Sequence, residues 1–293
     1  MVSHLEVKNL ENHKDGFSLQ NISLDIEEGE ILLLGGKNSS GKTTLLETIC
    51  LIHKPDDGRL KFFGKKVFEK GIKSKHWRKV KERIGVQFQS ASLFRNLTVR
   101  ETFELFSKDR RLAEMPDVVD ECHFLDNFMD KRIAKLSKGK VQLVKFMLAV
   151  MHRPDLVLLD EPVSNLDGNT RDWVYKVIKE MKSEGTSFLI TLNSLWSIAK
   201  LSESLMILDD GTIYRTVKDF YRNYEGYTAK VSKGSDINSL KSENWILGIE
   251  ELNDFYLVHS EQTIDKMIDM EGISILGVRD VRLEDFYPGG KSL

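Results

Sequence analysis

The sequence predicts an α/β protein in which helices cover a largely parallel sheet, followed by a small α+β domain. Up to about Arg215, short apolar runs alternate with helical patterns, as in proteins built around a parallel sheet. Between residues 98 and 152 the pattern is helical throughout, which indicates a helical insertion over about residues 95–153. After Arg215 the sequence becomes polar and rich in turn residues. We therefore expect two domains, residues 1–215 and 216–293.

Seven runs before Arg215 have the length and apolar composition of strands. They are residues 5–8, 19–26, 30–34, 84–88, 156–159, 188–192 and 205–208. In the C-terminal part, the stretches DFYLVHS, EQTIDKMIDM and ISILGV predict a strand, a helix and a strand. The intervening residues 220–245 show no clear element.

Composition restricts the classes of function. The chain has 293 residues, of which 41% are hydrophobic and 30% charged, and a formal net charge of −2. A balance so close to neutral gives no field for nucleic acid, and we expect no nucleic-acid partner. No apolar run approaches the roughly 20 residues of a membrane-spanning helix. The start of the chain lacks the pattern of a secretion signal, and its two cysteines have no metal-like spacing, so we expect a cytoplasmic protein.

The stretch ILLLGGKNSSGKTTLLETI carries the first motif with chemistry. It fits the pattern G-x-x-x-x-G-K-[ST] between an apolar strand and a helix-forming run. Backbone N–H groups of such a loop, with the positive end of the following helix, bind polyphosphate. Lys42 is expected to reach the β and γ phosphates, and the Thr43 hydroxyl to bind Mg²⁺. The predicted nucleotide-binding residues here are Gly36, Lys37, Asn38, Ser39, Ser40, Gly41, Lys42, Thr43 and Thr44.

A second motif, PDLVLLDEP, ends a strand with two carboxylates. Such a strand, emerging beside a phosphate loop, can present one carboxylate to Mg²⁺ and the next to an attacking water. We assign Asp160 to the metal and Glu161 to the general base. An acidic pair alone is also typical of a helix cap or a solvated turn. The phosphate loop earlier in the chain favours the catalytic interpretation.

A third stretch, LSKGKVQLVKFMLAVMHRP, places Ser137 at a helix N-terminus about 20 residues before that acidic pair. It resembles the signature helix of ATP-binding cassette (ABC) ATPases, usually L-S-G-G-Q. In the same order, Gln89 resembles the Q-loop glutamine of this family, and SNLD, residues 164–167, resembles its D-loop. The resemblance covers residues 3 to about 214. It implies a P-loop NTPase core of ABC type with an antiparallel β subdomain and the helical insertion.

Further expectations follow from this resemblance. Two cassettes would face each other head to tail around ATP and Mg²⁺, as a homodimer or a heterodimer. Ser137, Gly139 and Asp167 would contact the nucleotide held by the partner, and Gln89 would serve both the metal and the catalysis. A separate integral-membrane subunit would hold the protein at the inner face of the cell membrane. The ending ILGVRDVRLEDFYPGG is similar to the accessory domain of exporter ATPases for drugs and for antimicrobial or cytolytic peptides, which predicts export.

The sequence departs from the family pattern at four places. Ser39 stands where the family has glycine, and Lys140 where it has glutamine. The aromatic residue that stacks on adenine has two candidates, His13 and Phe17. Asn193 occupies the position of the switch histidine, after the strand at residues 188–192. An amide donates a hydrogen bond but takes no proton, so we expect weakened hydrolysis.

Other interpretations of the chain stay open at this stage. A soluble nucleotide switch without a membrane partner is one, and a weakly hydrolysing regulatory subunit, given Asn193, is another. Residues 65–83 contain nine basic and two acidic residues, a composition that fits a nucleic-acid or lipid patch but is more typical of a solvated helix face. Phe94, Leu97 and Phe103 follow the Q-loop and would either receive a membrane subunit or pack within the helical insertion.

Overall fold

A computed structural model describes most of the chain. The described residues are 3–14, 16–107, 127–192, 202, 204–218, 227–243, 246–251, 254–260, 267 and 270–280. The strands are β1 Ser3–Lys14, β2 Phe17–Glu27, β3 Ile31–Gly36, β4 Asp57–Phe62, β5 Lys65–Glu69, β6 Ile72–Lys73, β7 Ile84–Gln87, β8 Leu156–Asp160, β9 Ser187–Leu192, β10 Ser204–Asp209, β11 Thr212–Lys218, β12 Tyr227–Ser232, β13 Ile246–Glu251, β14 Phe255–Ser260 and β15 Ile275–Asp280. The α-helices are α1 Lys42–Ile49, α2 Trp77–Val80, α3 Val99–Ser107, α4 Lys138–Val150, α5 Gly168–Ser183 and α6 Ile237–Lys241.

The central sheet has six strands in the order β11-β10-β3-β9-β8-β7. All neighbours are parallel except β10 and β11, which form an antiparallel hairpin. Every residue of β3, β8 and β9 is buried, as expected for strands that are covered on both faces. The carboxyl ends of these three strands meet at one edge, where the loops that follow β3 and β8 contribute to the candidate site.

A second sheet is antiparallel, with the order β2-β1-β4-β5-β6. It corresponds to the expected antiparallel β subdomain, and the fold class predicted for the chain is confirmed. The prediction of a helix face over residues 65–83 was wrong, because β5 and β6 occupy its first half and α2 spans only four residues. The reason is that Val67 and Phe68 are buried where β5 pairs with β4, while the surrounding basic side chains are exposed.

Two hydrophobic cores lie on the two faces of the central sheet. One contains side chains of β3, β8 and β9 with α4 and α5, including Phe146, Val174, Val177 and Ile178. The other lies between the two sheets and packs around α1. Helix α4 and the described part of the helical insertion pack in the first of these cores, where Val99, Phe128 and Ile133 lie with Phe146.

The C-terminal part forms a four-stranded antiparallel sheet with the order β13-β14-β12-β15 and its own core around Val231, Leu240 and Val258. The strands predicted at DFYLVHS and ISILGV are present as β14 and β15. The predicted helix at residues 261–270 lies almost entirely outside the described residues. Strands β12 and β13 and helix α6 were not predicted, and the domain boundary at residue 215 stays a prediction, with β11 running to Lys218.

No helix within the described ranges is both long enough and apolar enough to cross a bilayer.

Candidate functional site

The phosphate loop connects β3 to α1. Helix α1 begins after Gly41, which has a left-handed φ of 104° and provides no side-chain cap. The first N–H groups of the helix are therefore available to a ligand. The Lys42 ammonium donates to the carbonyls of Gly36, at 2.7 Å, and Lys37, at 2.9 Å. Burial lowers the pKa of Lys42, while the carboxylates of Glu161 and Asp160 act in the opposite direction.

Three positions of the loop impose backbone requirements. A Cβ at Gly36 would lie 2.4 Å from Ser40 Oγ and 2.7 Å from the carbonyl oxygen of Leu208, so only glycine fits. A Cβ at Gly41 would lie 2.4 Å from Cζ of Phe17. Ser39 has a φ of 69°, the left-handed conformation that favours glycine, and this costs about 1 kcal/mol of strain. The loop keeps its shape despite the serine.

Asp160 joins the end of β8 to the phosphate loop. Its carboxylate is 1% exposed and accepts hydrogen bonds from the hydroxyls of Thr43, at 2.9 Å, and Thr191, at 2.7 Å. The Thr191 hydroxyl also accepts from the backbone N–H of Glu161 at 3.0 Å. Thr191 was missed at the sequence level, because its contact depends on the register that places it beside Asp160 on the neighbouring strand.

Glu161 turns the chain sharply after β8. Its φ of 50° is left-handed, and its carbonyl accepts hydrogen bonds from the side chains of Gln142, at 2.9 Å, and Ser164, at 3.0 Å. With the N–H held by Thr191, both backbone polar groups of Glu161 are fixed by side chains. A strained, well-supported conformation of this kind is common at functional sites. Gln142 was also missed from the sequence.

An open cavity of about 440 Å³ lies at this edge of the sheet. Eight of the predicted residues line it, and they are Asn38, Ser39, Gly41, Lys42, Thr43, Thr44, Gln89 and Glu161. Phe17 and Lys14 complete the lining, and Lys14 was not predicted. His13 is not among the lining residues; its Nδ1 lies 2.9 Å from Ser18 Oγ. Of the two candidates for adenine stacking, the geometry therefore favours Phe17.

The signature stretch and the D-loop lie together, apart from the lining of this cavity. Ser137 caps α4, where its Oγ accepts from the N–H of Lys140 at 3.3 Å, and the Lys140 ammonium lies 5.1 Å from the centre of the Phe128 ring. A Cβ at Gly139 would lie 2.5 Å from the Asn165 carbonyl oxygen. The close approach of the signature stretch to the D-loop therefore requires glycine at position 139. Asp167 caps α5, and both of its carboxylate oxygens accept from Thr170.

These hydrogen bonds to Thr170 lower the pKa of Asp167 and keep its carboxylate charged. The structure thus gives Asp167 a capping function, and its contact with nucleotide stays a prediction. Asn193 lies outside the described residues, directly after β9. Thr191, two residues earlier in the chain, is described and contacts the site through its hydrogen bond to Asp160.

Comparison with known proteins agrees with this geometry. The model of the family described as ABC transporter matches residues 19–164. The spermidine/putrescine import ATP-binding protein PotA of Spiroplasma citri is 30% identical over 247 residues, which are 80% of this chain and 68% of that protein. The phosphonates import ATP-binding protein PhnC of Treponema denticola is 30% identical over 227 residues, 71% of this chain and 87% of that protein.

This chain belongs to the ABC transporter ATP-binding family. A dimeric ATP-binding cassette in a post-hydrolysis state, bound to ADP and Pi, is a structural relative with 25% identity and a TM-score of 0.64. The match covers 73% of this chain and 98% of the chain of that relative. The ABC ATP-binding protein NatA of Bacillus subtilis is 26% identical over 79% of this chain and 92% of that protein. The chain is accordingly an ATPase of ABC type that binds ATP.

Proposed function

We propose that this chain is the ATP-hydrolysing subunit of an ABC exporter, works with Mg²⁺ and acts as a dimer on a separate membrane subunit. One observation carries the proposal. The Thr43 hydroxyl of the phosphate loop lies 2.9 Å from the Asp160 carboxylate, and Glu161, the next residue, lines the same cavity as Lys42. Loop, metal carboxylate and base are therefore assembled in one place.

The residues present fit a magnesium ion. Mg²⁺ is usually held by one or two carboxylates together with phosphates of the substrate. The described residues contain no group of three or more His, Cys, Asp or Glu side chains that could hold a metal alone, which leaves the substrate-assisted arrangement. Thr43, Asp160 and Gln89 would hold the ion, which would neutralise phosphate charge.

The chain's own groups carry out the hydrolysis in this proposal. Lys42 and the loop N–H groups hold the β and γ phosphates, and Phe17 stacks on the adenine. The Glu161 carboxylate accepts a proton from the attacking water as the new P–O bond forms. The bond between the γ phosphorus and the bridging oxygen breaks, and its electron pair leaves with ADP. Asn193 would donate one hydrogen bond to the γ phosphate, with no proton to exchange.

A membrane partner is supported by the surface beside the Q-loop. Phe94 is 60% exposed, and Leu105 and Phe106 of α3 are also exposed. Phe103 packs against the core, and Leu97 is half-buried, so of the three apolar residues noted in the sequence Phe94 is the one open to a partner. We place the protein in the cytoplasm at the inner face of the membrane, on this partner.

The direction of transport rests on the resemblance of the C-terminal ending to exporter accessory domains. The relatives named above include import proteins. Similarity at 30% identity does not carry a direction, because function resides in sites rather than in the fold. In vesicles whose ATP-binding side faces outward, export predicts ATP-driven accumulation of cargo in the lumen, and ATP-driven loss of cargo would show import.

The nucleotide site is tested by the variant Lys42→Ala, with Lys179→Ala, an exposed lysine on α5, as the matched control. We expect the first variant to lose ATP binding in a fluorescence titration, because the ammonium that the cavity positions for phosphate is removed. The control should bind ATP as the unmodified protein does. Equal affinity in both variants would contradict the assignment of the phosphate loop.

A further inference from the structure

Lys145 connects the signature helix to the Q-loop. Its ammonium donates to the backbone carbonyl of Gln89 at 2.8 Å, and at a longer 3.4 Å to that of Phe88. These residues follow β7, which is an outermost strand of the central sheet and has a neighbour on one side only. The backbone of Phe88 and Gln89 therefore leaves the sheet with a neighbouring strand on one side only. Lys145 supplies a charge-assisted contact at that point, the stronger kind of hydrogen bond.

The Lys145 contact is the last of three along one face of α4. Gly139, Gln142 and Lys145 are spaced by three residues, and side chains at that spacing lie on one side of a helix. Gly139 touches the Asn165 carbonyl, and the Gln142 amide donates to the Glu161 carbonyl at 2.9 Å. One helix face therefore holds the D-loop, the backbone of the general base and the backbone of the Q-loop glutamine.

The environment of Lys145 favours a fixed position. The side chain is half-buried, and burial lowers its pKa. An ammonium that gives up part of its hydration is stabilised by carbonyl acceptors that replace the lost water. The side chain of Gln89, by contrast, is exposed and lines the nucleotide cavity. The orientation of this side chain depends on how its backbone is held.

We propose that Lys145 is a positioning residue that fixes Gln89 in the nucleotide cavity. One face of α4 then supports Gln89 as well as the D-loop and the backbone of Glu161. The inference rests on the proposed role of Gln89 in holding Mg²⁺. Because a helix of 13 residues moves as a unit, a displacement of its first turn at Ser137 would be transmitted to Gln89 through this contact.

The test compares Lys145→Met, which keeps the methylene stem and removes the ammonium, with Lys145→Arg, which keeps a cationic donor. Groups that orient a metal ligand typically contribute about tenfold to hundredfold to activity. We expect Lys145→Met to lower ATP turnover by about tenfold and to raise the Mg²⁺ concentration for half-maximal turnover, with ATP affinity within about twofold. Lys145→Arg should keep most of the turnover, and Lys179→Met, an exposed control on α5, all of it.

A double-mutant cycle with Gln89→Ala separates positioning from a purely structural contribution. If Lys145 acts through Gln89, Lys145→Met has little further effect in the Gln89→Ala protein. Equal losses in both backgrounds, or an unchanged Mg²⁺ requirement in Lys145→Met, would overturn the inference. If Lys145→Met does not fold, as judged by thermal unfolding, Lys145→Gln takes its place in the same cycle.

The two proposals fail in different ways. If Gln89→Ala alone turns over ATP at the unmodified rate with an unchanged Mg²⁺ requirement, the proposed role of Gln89 is wrong, and the inference that depends on it falls too. If Gln89→Ala is impaired but the Lys145→Met loss is fully additive, the role of Gln89 stands and the positioning by Lys145 is contradicted.

Discussion

Replacing Thr191 by valine should disturb the Asp160 carboxylate and the backbone of Glu161 while preserving the shape of the side chain. The Thr191 hydroxyl donates to Asp160 Oδ1 at 2.7 Å and accepts from the N–H of Glu161 at 3.0 Å. The side chain is fully buried in β9, so water does not replace it. Valine fills a similar volume but carries no polar atom. Two polar groups of the catalytic strand would then lose a partner.

The magnitude follows from these two contacts. A hydrogen bond to a charged group contributes about 1.5–3 kcal/mol, and a buried N–H left without an acceptor costs about 1–3 kcal/mol. The expected loss in the free energy of unfolding, the sum of the two, is therefore about 2.5–6 kcal/mol for Thr191→Val. Thr191→Ser is the matched control, because it keeps the hydroxyl and removes one methyl group, which costs about 1 kcal/mol.

Two assays check this prediction. In thermal unfolding, Thr191→Val should melt roughly 5–10 °C below Thr191→Ser, given about 2–4 °C for each kcal/mol. In ATP hydrolysis, Thr191→Val should lose about tenfold to hundredfold in turnover, because a group that orients Asp160, the proposed metal ligand, is gone. If the two variants unfold at the same temperature and hydrolyse ATP alike, the Thr191 hydroxyl does not hold Asp160 and the backbone of Glu161 in place.

Two further predictions concern His4 and Asn193. Burial lowers the pKa of His4 below its ordinary 6.5, so the folded protein disfavours the charged form. The contribution of neutral His4 to the free energy of unfolding should be complete above pH 6.5 and decline below it by up to about 1.4 kcal/mol per pH unit. Denaturant unfolding between pH 8 and pH 5 should therefore show a shallower loss of stability for His4→Gln than for the unmodified protein. For Asn193→His we expect ATP turnover to rise by about tenfold at nearly unchanged ATP affinity, because a switch residue acts on the transition state. Flat or lower turnover would show that the site has adapted to the amide.

The pH prediction depends on how His4 is held. The Ser187 hydroxyl has one hydrogen, which it donates to the Glu27 carbonyl at 2.7 Å. His4 Nδ1 lies 2.9 Å from Ser187 Oγ. Because the hydroxyl hydrogen is already used, Nδ1 must itself carry the proton of this hydrogen bond. The ring also packs edge-on against Phe63 at 5.1 Å. Protonation of the other ring nitrogen would place a charge in this buried setting, where the carboxylates of Asp155 and Glu28 act in the opposite direction but do not offset the effect of burial.

The sequence was sufficient to predict the parallel strands and the two long antiparallel strands β1 and β2, but not β4, β5, β6 or β12. Strands β3, β8 and β9 are continuous apolar runs, because both of their faces are buried. Strand β5 is half-exposed and basic, and β12 is interrupted by polar residues, so neither shows a distinct period. Their pairing is decided by tertiary contacts that a local pattern does not contain.

The same distinction applies to the site. Lys42, Thr43, Asp160 and Glu161 lie in short motifs whose spacing is itself the signal, and the structure brings them together. Lys14, Gln142 and Thr191 contribute through approaches between distant segments, such as the register of β8 with β9. A threonine in an apolar strand has no sequence feature that marks it as the hydrogen-bond donor to a carboxylate.

In the mechanism that we propose, two ABC cassettes close around ATP, and Glu161 is the base for its hydrolysis. Sedimentation of Glu161→Gln with ATP and Mg²⁺ checks both parts of this mechanism, because the amide cannot accept the proton of the attacking water while the phosphate contacts remain. We predict a dimer that retains unhydrolysed ATP, and no dimer when Lys42→Ala is added. A Glu161→Gln protein that binds ATP but sediments as a monomer, or one that hydrolyses ATP at the unmodified rate, would contradict the account.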